Sequence, residues 1–222
     1  MRRRSAEPPT PRHGTCDRLV CQPVAVSDAV RVPGAVGPTS TREQPSMLAV
    51  GTVVWLASEL MFFGGLFAAY FTLRGEAHTW PPADVELETA ITALATVLLV
   101  ASSGTMHLAG LAQEREDRVA MKRWLLLTLV LGALFLANVV REFLTLDFEI
   151  SSNAYGSLYY LMTGFHGLHV LGGLVLMLVA LAVATGTRPL AQRRPAVKSL
   201  EYYWHFVDVV WIGLFLTLFV IR

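Results

Sequence analysis

The chain has 222 residues, of which 54% are hydrophobic and 16% are charged, and its formal net charge is +1. A charge so close to zero argues against a polyanionic partner such as nucleic acid. Average composition does not separate a large apolar globular domain from a membrane protein, but the distribution of apolar residues does. Several apolar runs exceed the roughly 20 residues that a helix needs to cross about 30 Å of hydrocarbon. We therefore predict an all-α, polytopic membrane protein.

Residues 1–46 form a polar tail with seven arginines, no lysine and several prolines, and they lack helical or strand periodicity. This composition predicts disorder. No apolar stretch long enough for a signal peptide follows the N-terminal arginines. Cys16 and Cys21 match no zinc or redox spacing and are interpreted as incidental. The segment is either a disordered cytoplasmic tail or an over-extended start upstream of Met47.

Five apolar segments follow the tail, and each is long enough to span a membrane. Proline, glycine and charged residues separate them, with a charged turn predicted over 110–123. A membrane domain of five helices is thus predicted over residues 47–222, with spans at about Met47–Leu73, Ala90–Ala112, Trp124–Phe143, Leu158–Thr185 and Leu200–Ile221.

Lysine and arginine resist translocation, so their distribution among the loops predicts how the helices are oriented. Of the 18 basic residues, all but three fall in the tail and in the second and fourth loops. The three on the opposite side are Arg74, Arg141 and Arg222. We predict a cytoplasmic N-terminus and a C-terminus outside.

Glu59 lies near the middle of the first predicted helix. A charged side chain at that depth costs about 2.5–3.5 kcal/mol even on lenient insertion scales, so the residue requires an explanation. It is either a protonated, hydrogen-bonded packing residue or part of a proton relay or ion site. By depth, Glu59 and His169 both fall near the membrane midplane, and we predict that their helices are neighbours.

The fourth helix holds His166 and His169, three residues apart among glycines. Di-metal sites in helix bundles use Glu-x-x-His on two helices with acids on two more, and this chain lacks that pattern. We predict no metal, cofactor-binding or catalytic residues, and assign the histidines to contacts between helices, with lipid or with a partner subunit. Close helix packing is predicted at the small residues Gly64, Gly65, Ala68, Ala69, Gly164, Gly167, Gly172 and Gly173.

The last segment places His205 and Asp208 on one helical face inside the membrane. Trp211 is deep enough to pack against protein, whereas tyrosines 202 and 203 are predicted to lie in the interfacial aromatic belt. His107 is expected to reach towards the cytoplasmic surface. Arg141 and its neighbour Glu142 are expected to form a weak local ion pair at the outer interface.

Four motifs stand in order along the apolar part of the chain. They are Ser58–Phe63 (SELMFF), Ala154–Ser157 (AYGS), Thr163–Val170 (TGFHGLHV) and Tyr203–Trp211 (YWHFVDVVW). Together they make residues 47–222 similar to subunit III of the haem-copper respiratory oxidases. Four ordered motifs within one membrane domain are a specific match.

The resemblance implies a non-redox subunit of an aa3-type cytochrome c oxidase, a multi-pass protein of the bacterial plasma membrane. In such a complex haem a and copper lie in partner subunits, and the complex rather than this chain is the enzyme. The subunit would contact subunit I directly and share the complex with subunit II. It would hold structural phospholipid, stabilise subunit I and support proton uptake while oxygen is reduced. Membership of a respiratory supercomplex stays open.

The resemblance also assigns roles to single residues. Glu59 corresponds to the family's intramembrane carboxyl group. Polar bundle or lipid-contacting roles fall to His166, His169, Trp204, His205, Asp208 and Trp211.

Three departures from the family pattern accompany the resemblance. The chain lacks the first two helices of the seven-helix members, so it is similar to the five-helix bacterial form. Gly110 and Leu111 stand where mitochondrial-type members have a histidine pair, and Glu201 matches no family acid and receives no role.

Alternative functions are subunit III of a quinol oxidase, an accessory subunit of nitric oxide reductase and, from a different class, a small proton or ion transporter that uses Glu59. The sequence has no inverted repeat of the kind that builds transporter sites, which disfavours the last alternative.

Overall fold

The computed structural model describes residues 47–82, 88–184 and 194–221, and within them it contains five long α-helices and no strand. All five are long and apolar enough to cross a membrane, as predicted. The tail predicted over residues 1–46 lies outside the described residues. The helices are α1 (Met47–Glu76), α2 (Thr89–Glu114), α3 (Arg118–Thr145), α4 (Ala154–Ala184) and α5 (Arg194–Phe215), and α5 continues as a π-helical turn over Leu216–Val220.

The turn between α2 and α3 is much shorter than the charged turn predicted over 110–123, since only three residues separate the two helices. Glu116 takes a left-handed backbone conformation with φ of 59°. The Asp117 carboxylate then caps α3 by accepting hydrogen bonds from the amides of Val119 and Ala120. The prediction was wrong because the ends of α2 and α3 carry charged residues. A helix end outside the hydrocarbon can therefore have the same composition as a loop.

Helix α5 lies at the centre of the bundle, in contact with α1, α2 and α4. In the most apolar 18-residue stretch of α5, 56% of the residues are buried. In the corresponding stretch of α1 only 6% are buried. Consecutive helices run antiparallel, so the bundle has two ends. We call the end with the first residues of α1, α3 and α5 the N-side, and the opposite end the C-side.

At the C-side, two tyrosines contact the π-helical turn that ends α5. The Tyr70 hydroxyl of α1 donates to the Thr217 carbonyl at 3.2 Å, and the Tyr155 hydroxyl of α4 donates to the Leu218 carbonyl at 3.4 Å. A π-turn leaves carbonyl groups without their usual helical partners, and these must be hydrogen-bonded within a membrane. The two hydroxyl groups meet that requirement and fasten α1 and α4 to the end of α5.

Trp204 of α5 fills the space that two glycines leave free. A Cβ atom at Gly132 of α3 or at Gly173 of α4 would lie 2.7 Å from a carbon of the Trp204 ring. The indole is fully buried, and its Nε1 donates to Ser102 Oγ of α2 at 2.9 Å. This one side chain therefore joins α2, α3 and α4 to α5, and the packing role predicted for Gly173 is confirmed.

Other glycines of the predicted packing set have no close neighbour. A Cβ atom at Gly64, Gly65 or Gly164 would meet no atom of the described residues within 4 Å. Among the described residues, their predicted role in close helix approach is therefore wrong.

We expect Gly173→Ala to lower the melting temperature of the purified chain in detergent. The added methyl would collide with the buried Trp204 ring, and overpacking of this kind costs about 1–3 kcal/mol. Thermal unfolding followed by circular dichroism measures the effect. Gly164→Ala is the matched control on the same helix and should leave the melting temperature unchanged; equal melting temperatures for the two variants would contradict the packing.

Candidate functional site

Glu59 and His169 form a pair between α1 and α4, which confirms the prediction that their helices are neighbours. Glu59 Oε2 lies 3.2 Å from His169 Nε2, and both side chains are largely shielded. His169 Nδ1 donates to the Phe165 carbonyl at 2.7 Å. Because a carbonyl can only accept, Nδ1 carries a proton, and the contact with Glu59 requires a second proton on either Nε2 or the carboxyl group. In both forms the net charge of the pair is zero.

Aromatic side chains enclose this pair. The Tyr203 hydroxyl donates to the His169 carbonyl at 2.7 Å, and the Tyr203 ring stacks on Trp55 with centroids 5.5 Å apart. The Phe63 ring contacts the His169 imidazole at 5.2 Å. Tyr203 is buried in the bundle, whereas Tyr202 is exposed. The pair is therefore held in a largely apolar surrounding by α1, α4 and α5 together.

Asp208 and His205 are joined by Ser103 of α2, a residue that the sequence analysis did not single out. The Ser103 hydroxyl donates to Asp208 Oδ2, and Ser103 Oγ lies 2.7 Å from His205 Nδ1. The two residues share a helical face as predicted, but they interact through the serine. The signal available in the sequence was the Ser102-Ser103 dipeptide, a polar pair in the middle of an apolar helix.

Glu201 is a buried acid with three basic neighbours, although the sequence analysis gave it no role. Its Oε1 lies 2.9 Å from His107 Nδ1 and 3.8 Å from His205 Nε2, and its Oε2 lies 3.0 Å from Lys198 Nζ. His107 is exposed, as expected of a residue that reaches towards the surface, and its pairing with Glu201 was not predicted. The spacing Lys198, Glu201 and His205, at three and four residues on one helix, was the signal that could have revealed the cluster.

His166 lies apart from these polar contacts. It is fully buried, its ring stands 4.9 Å from Trp211 and 5.9 Å from Phe135, and neither ring nitrogen has a hydrogen-bond partner among the described residues. Trp211 is also buried, and its Nε1 donates to Thr96 Oγ1 at 2.9 Å. Trp211 thus packs against protein, as predicted, while His166 is a core residue in an aromatic surrounding.

Arg141 and Glu142 point in different directions and do not form the predicted local pair. Arg141 Nη2 lies 2.7 Å from Glu88 Oε2, across from the start of α2. Glu142 is buried instead, and Thr92 Oγ1 donates to its Oε2 at 3.3 Å. Adjacent residues of a helix lie about 100° apart around the axis, so one can face solvent while the next faces the bundle.

An apolar pocket of about 340 Å³ opens at the N-side, between α1, α4 and α5. It lies beside Trp55 and Tyr203, and so next to the enclosure of the Glu59–His169 pair. Its lining includes Leu48, Trp55, Val179, Val183, Val197 and Tyr203. The size and the lining suit an acyl chain rather than a polar ligand.

Five helices of membrane-spanning length, joined by internal polar pairs, define a polytopic membrane protein. Comparisons with known proteins give its family. The family model described as "Cytochrome c oxidase subunit III" matches residues 28–221. The "Probable cytochrome c oxidase subunit 3" of Nocardia farcinica is 45% identical over 183 residues, which cover 81% of this chain and 90% of that protein. The "Cytochrome c oxidase subunit 3" of Thermostichus vulcanus is 40% identical over 190 residues, covering 84% and 94%. The chain belongs to the cytochrome c oxidase subunit III family.

The family match begins at residue 28, upstream of Met47, where the resemblance was taken to start. It includes all four motifs, and with them Glu59, both histidines of α4, and the His205–Asp208 face.

We expect Asp208→Leu to destabilise the chain, because the Ser103 hydroxyl would lose its acceptor and His205 its bridge to α2. An unsatisfied buried polar group costs about 1–3 kcal/mol. The melting temperature of the purified chain measures this loss. Asp208→Asn has nearly the same shape and keeps a carbonyl oxygen as acceptor, so it should melt close to the unmodified chain. Equal stability of the Leu and Asn variants would show that the Ser103 contact contributes nothing.

Proposed function

We propose that this chain is the non-redox subunit III of an aa3-type cytochrome c oxidase in a bacterial plasma membrane. The observation that carries the proposal is the family match over 28–221, which contains the four motifs and the Glu59–His169 pair. The contacts of the α4 histidines agree with a non-redox role. His169 uses both ring nitrogens within the chain, and His166 is buried between Phe135 and Trp211.

The partners we propose are subunit I, in direct contact, and subunit II in the same complex. Subunit I would carry the haem-copper chemistry, and this chain would stabilise it laterally. The outer face of α1 supports such a contact, because it is apolar and no described residue of the chain covers it. Its exposed side chains include Val50, Val53, Val54, Leu60 and Met61. Small residues on the same helix, Gly64 and Gly65, leave room for a close approach from outside.

The N-side pocket is proposed to hold one acyl chain of a structural phospholipid. Its apolar lining and its opening towards one end of the bundle support this assignment. A chain bound there would pack against Trp55 and Tyr203. Lipid would thereby stabilise the enclosure of the Glu59–His169 pair.

We propose that the Glu59–His169 pair supports sustained proton uptake by the oxidase. A pair that holds one proton between two titratable groups can keep its net charge at zero while the proton moves from one group to the other. Its position in the bundle, shielded by Tyr203 and Phe63, keeps bulk water away. Because the pair links α1 to α4, its loss would also loosen α1, the least buried helix.

The proposed orientation places the N-side in the cytoplasm. Among the described residues, Arg115, Arg118, Lys122, Arg123 and Lys198 lie at or near the N-side. At the C-side stand Arg74 and Arg141, and Glu88 neutralises Arg141. The excess of basic residues on one side supports a cytoplasmic N-side.

Gentle purification of the tagged chain from its native membrane tests the proposed complex. Subunits I and II should co-purify, and a reduced-minus-oxidised spectrum should show haem a. Haem of another type would instead indicate a quinol oxidase or a nitric oxide reductase. A colourless chain purified alone, which moves an ion in liposomes, would overturn the oxidase proposal in favour of a transporter.

We expect Glu59→Ala to leave the haem content of the purified complex nearly unchanged while its activity falls faster during continuous turnover. The residue lies in a chain proposed to hold no redox centre, but it closes the contact with His169. Pyridine haemochrome spectra and oxygen consumption over time measure the two effects. Glu76→Ala, at the exposed end of the same helix, is the control and should match the unmodified complex. Loss of haem while this subunit stays bound would contradict the assigned role.

A further inference from the structure

The second polar cluster of the bundle has the composition and the spacing of a metal site. His107 of α2 and Glu201 and His205 of α5 each offer one ligand atom, and these three atoms lie within 4.8 Å of one another. Glu201 Oε1 is 2.9 Å from His107 Nδ1 and 3.8 Å from His205 Nε2. Two imidazoles and a carboxylate are a donor set typical of zinc and related transition-metal dications.

The separations of the donor atoms fit such an ion. Bonds of about 2.0–2.1 Å in tetrahedral geometry place neighbouring ligand atoms about 3.3 Å apart. The two distances to Glu201 Oε1 lie on either side of this value. The third separation, between the two histidine nitrogens, is no more than 4.8 Å. Rotamer shifts that shorten it by up to about 1.5 Å would bring the three atoms into a coordination shell.

A hydrogen-bond chain sets the tautomer of His205. Ser103 gives its proton to Asp208, so its oxygen accepts the proton on His205 Nδ1. The lone pair of His205 then lies on Nε2, the atom that faces Glu201 Oε1. Two acceptors that face each other repel unless a proton or a cation lies between them. Outer partners of this kind orient histidine ligands in known metal sites.

Access to the cluster is open from one side. The side chains of His107 and His205 are 57% and 39% exposed, whereas that of Glu201 is 5% exposed. His107 lies seven residues before the end of α2, about 10 Å from that helix end at 1.5 Å per residue. A hydrated ion at the N-side surface thus has a short path to the ligands, and a water molecule can take the fourth position.

The Lys198 ammonium group competes with a bound cation for the negative charge of Glu201. This group lies 3.0 Å from Glu201 Oε2, the oxygen that faces away from the two histidines. A cation bound at Oε1 leaves the contact at Oε2 in place, but the positive charge of Lys198 opposes a second positive charge nearby. The lysine therefore sets the affinity without blocking the site.

We propose that His107, Glu201 and His205 bind a transition-metal dication of the zinc type, which joins α2 to α5 near the N-side. To ligate through Nδ1, a neutral His107 ring carries its proton on Nε2, whereas a protonated ring releases one proton to solvent; no oxidation state changes. Asp208 and Ser103 act as positioning residues that hold the His205 ring. The site does not depend on the proposed oxidase function, since all three ligands belong to this chain.

Cobalt(II) is a visible probe of this site. The full chain, purified in detergent and treated with a chelator that is then removed, is titrated with cobalt(II) and afterwards with zinc(II). We expect the intense visible absorption of low-coordinate cobalt(II), its loss when zinc(II) is added, and a zinc-dependent rise in melting temperature because the ion bridges two helices. The proposed site would be overturned if cobalt(II) stayed pale in the presence of the chain and zinc(II) left the melting temperature unchanged.

Variants of the ligands and their neighbours sharpen the test. His107→Ala and Glu201→Gln should weaken cobalt(II) binding at least about 100-fold, since even outer-shell changes cost 10–100-fold. Lys198→Ala should tighten it. His78→Ala, an exposed histidine outside the cluster, is the matched control and should bind as the unmodified chain does. Circular dichroism checks that each variant is folded, and the exposed His107 is the ligand whose removal is best tolerated.

Unchanged affinity in both folded ligand variants, or a loss of binding in His78→Ala, would place the ion elsewhere and overturn the assignment. Weaker cobalt(II) binding by Lys198→Ala would contradict the assignment of Glu201 as the ligand carboxylate.

Discussion

A membrane interior supplies no water, so polar groups on a membrane-spanning helix are stabilised by partners within the protein, many of them on a neighbouring helix. Helix α5 meets this constraint for most of the bundle. Tyr203 reaches α4, while Trp204, His205, Asp208 and Trp211 reach hydroxyl groups of α2. Lipid tails are as apolar as leucine, so hydrophobicity does little to hold helices together there. These contacts, and the close approach of two glycines to the central indole, fix α5 and with it the other helices.

Much of the fold could be predicted from the sequence because membrane spans follow from length and hydropathy alone. All five spans were predicted, as was the neighbourhood of Glu59 and His169, since an acid and a histidine at equal depth both require a partner. The family also followed from the sequence, because its four motifs contain many of the polar residues that α1, α4 and α5 place inside the membrane.

The partners of the remaining polar residues could not be predicted, because they depend on how each helix is rotated about its axis. Nothing in the sequence states that the face of α2 with Ser103 and His107 meets the face of α5 with Glu201 and His205. Mean hydropathy is an average over all residues of a helix, so it does not show which side of the helix faces its neighbours. The same reason explains Glu142, which turns inwards although its neighbour Arg141 turns outwards.

The Glu59–His169 contact has a consequence for how the chain is made. The two residues are 110 positions apart. At about 5–20 residues per second, the ribosome needs about 5–20 s to reach the histidine after it has added the acid. During that interval α1 has been made, but His169, which pairs with Glu59, has not. Helix α1 can make its contacts in the bundle only after α4 and α5 have been made, because His169 and the Thr217 carbonyl are among its partners.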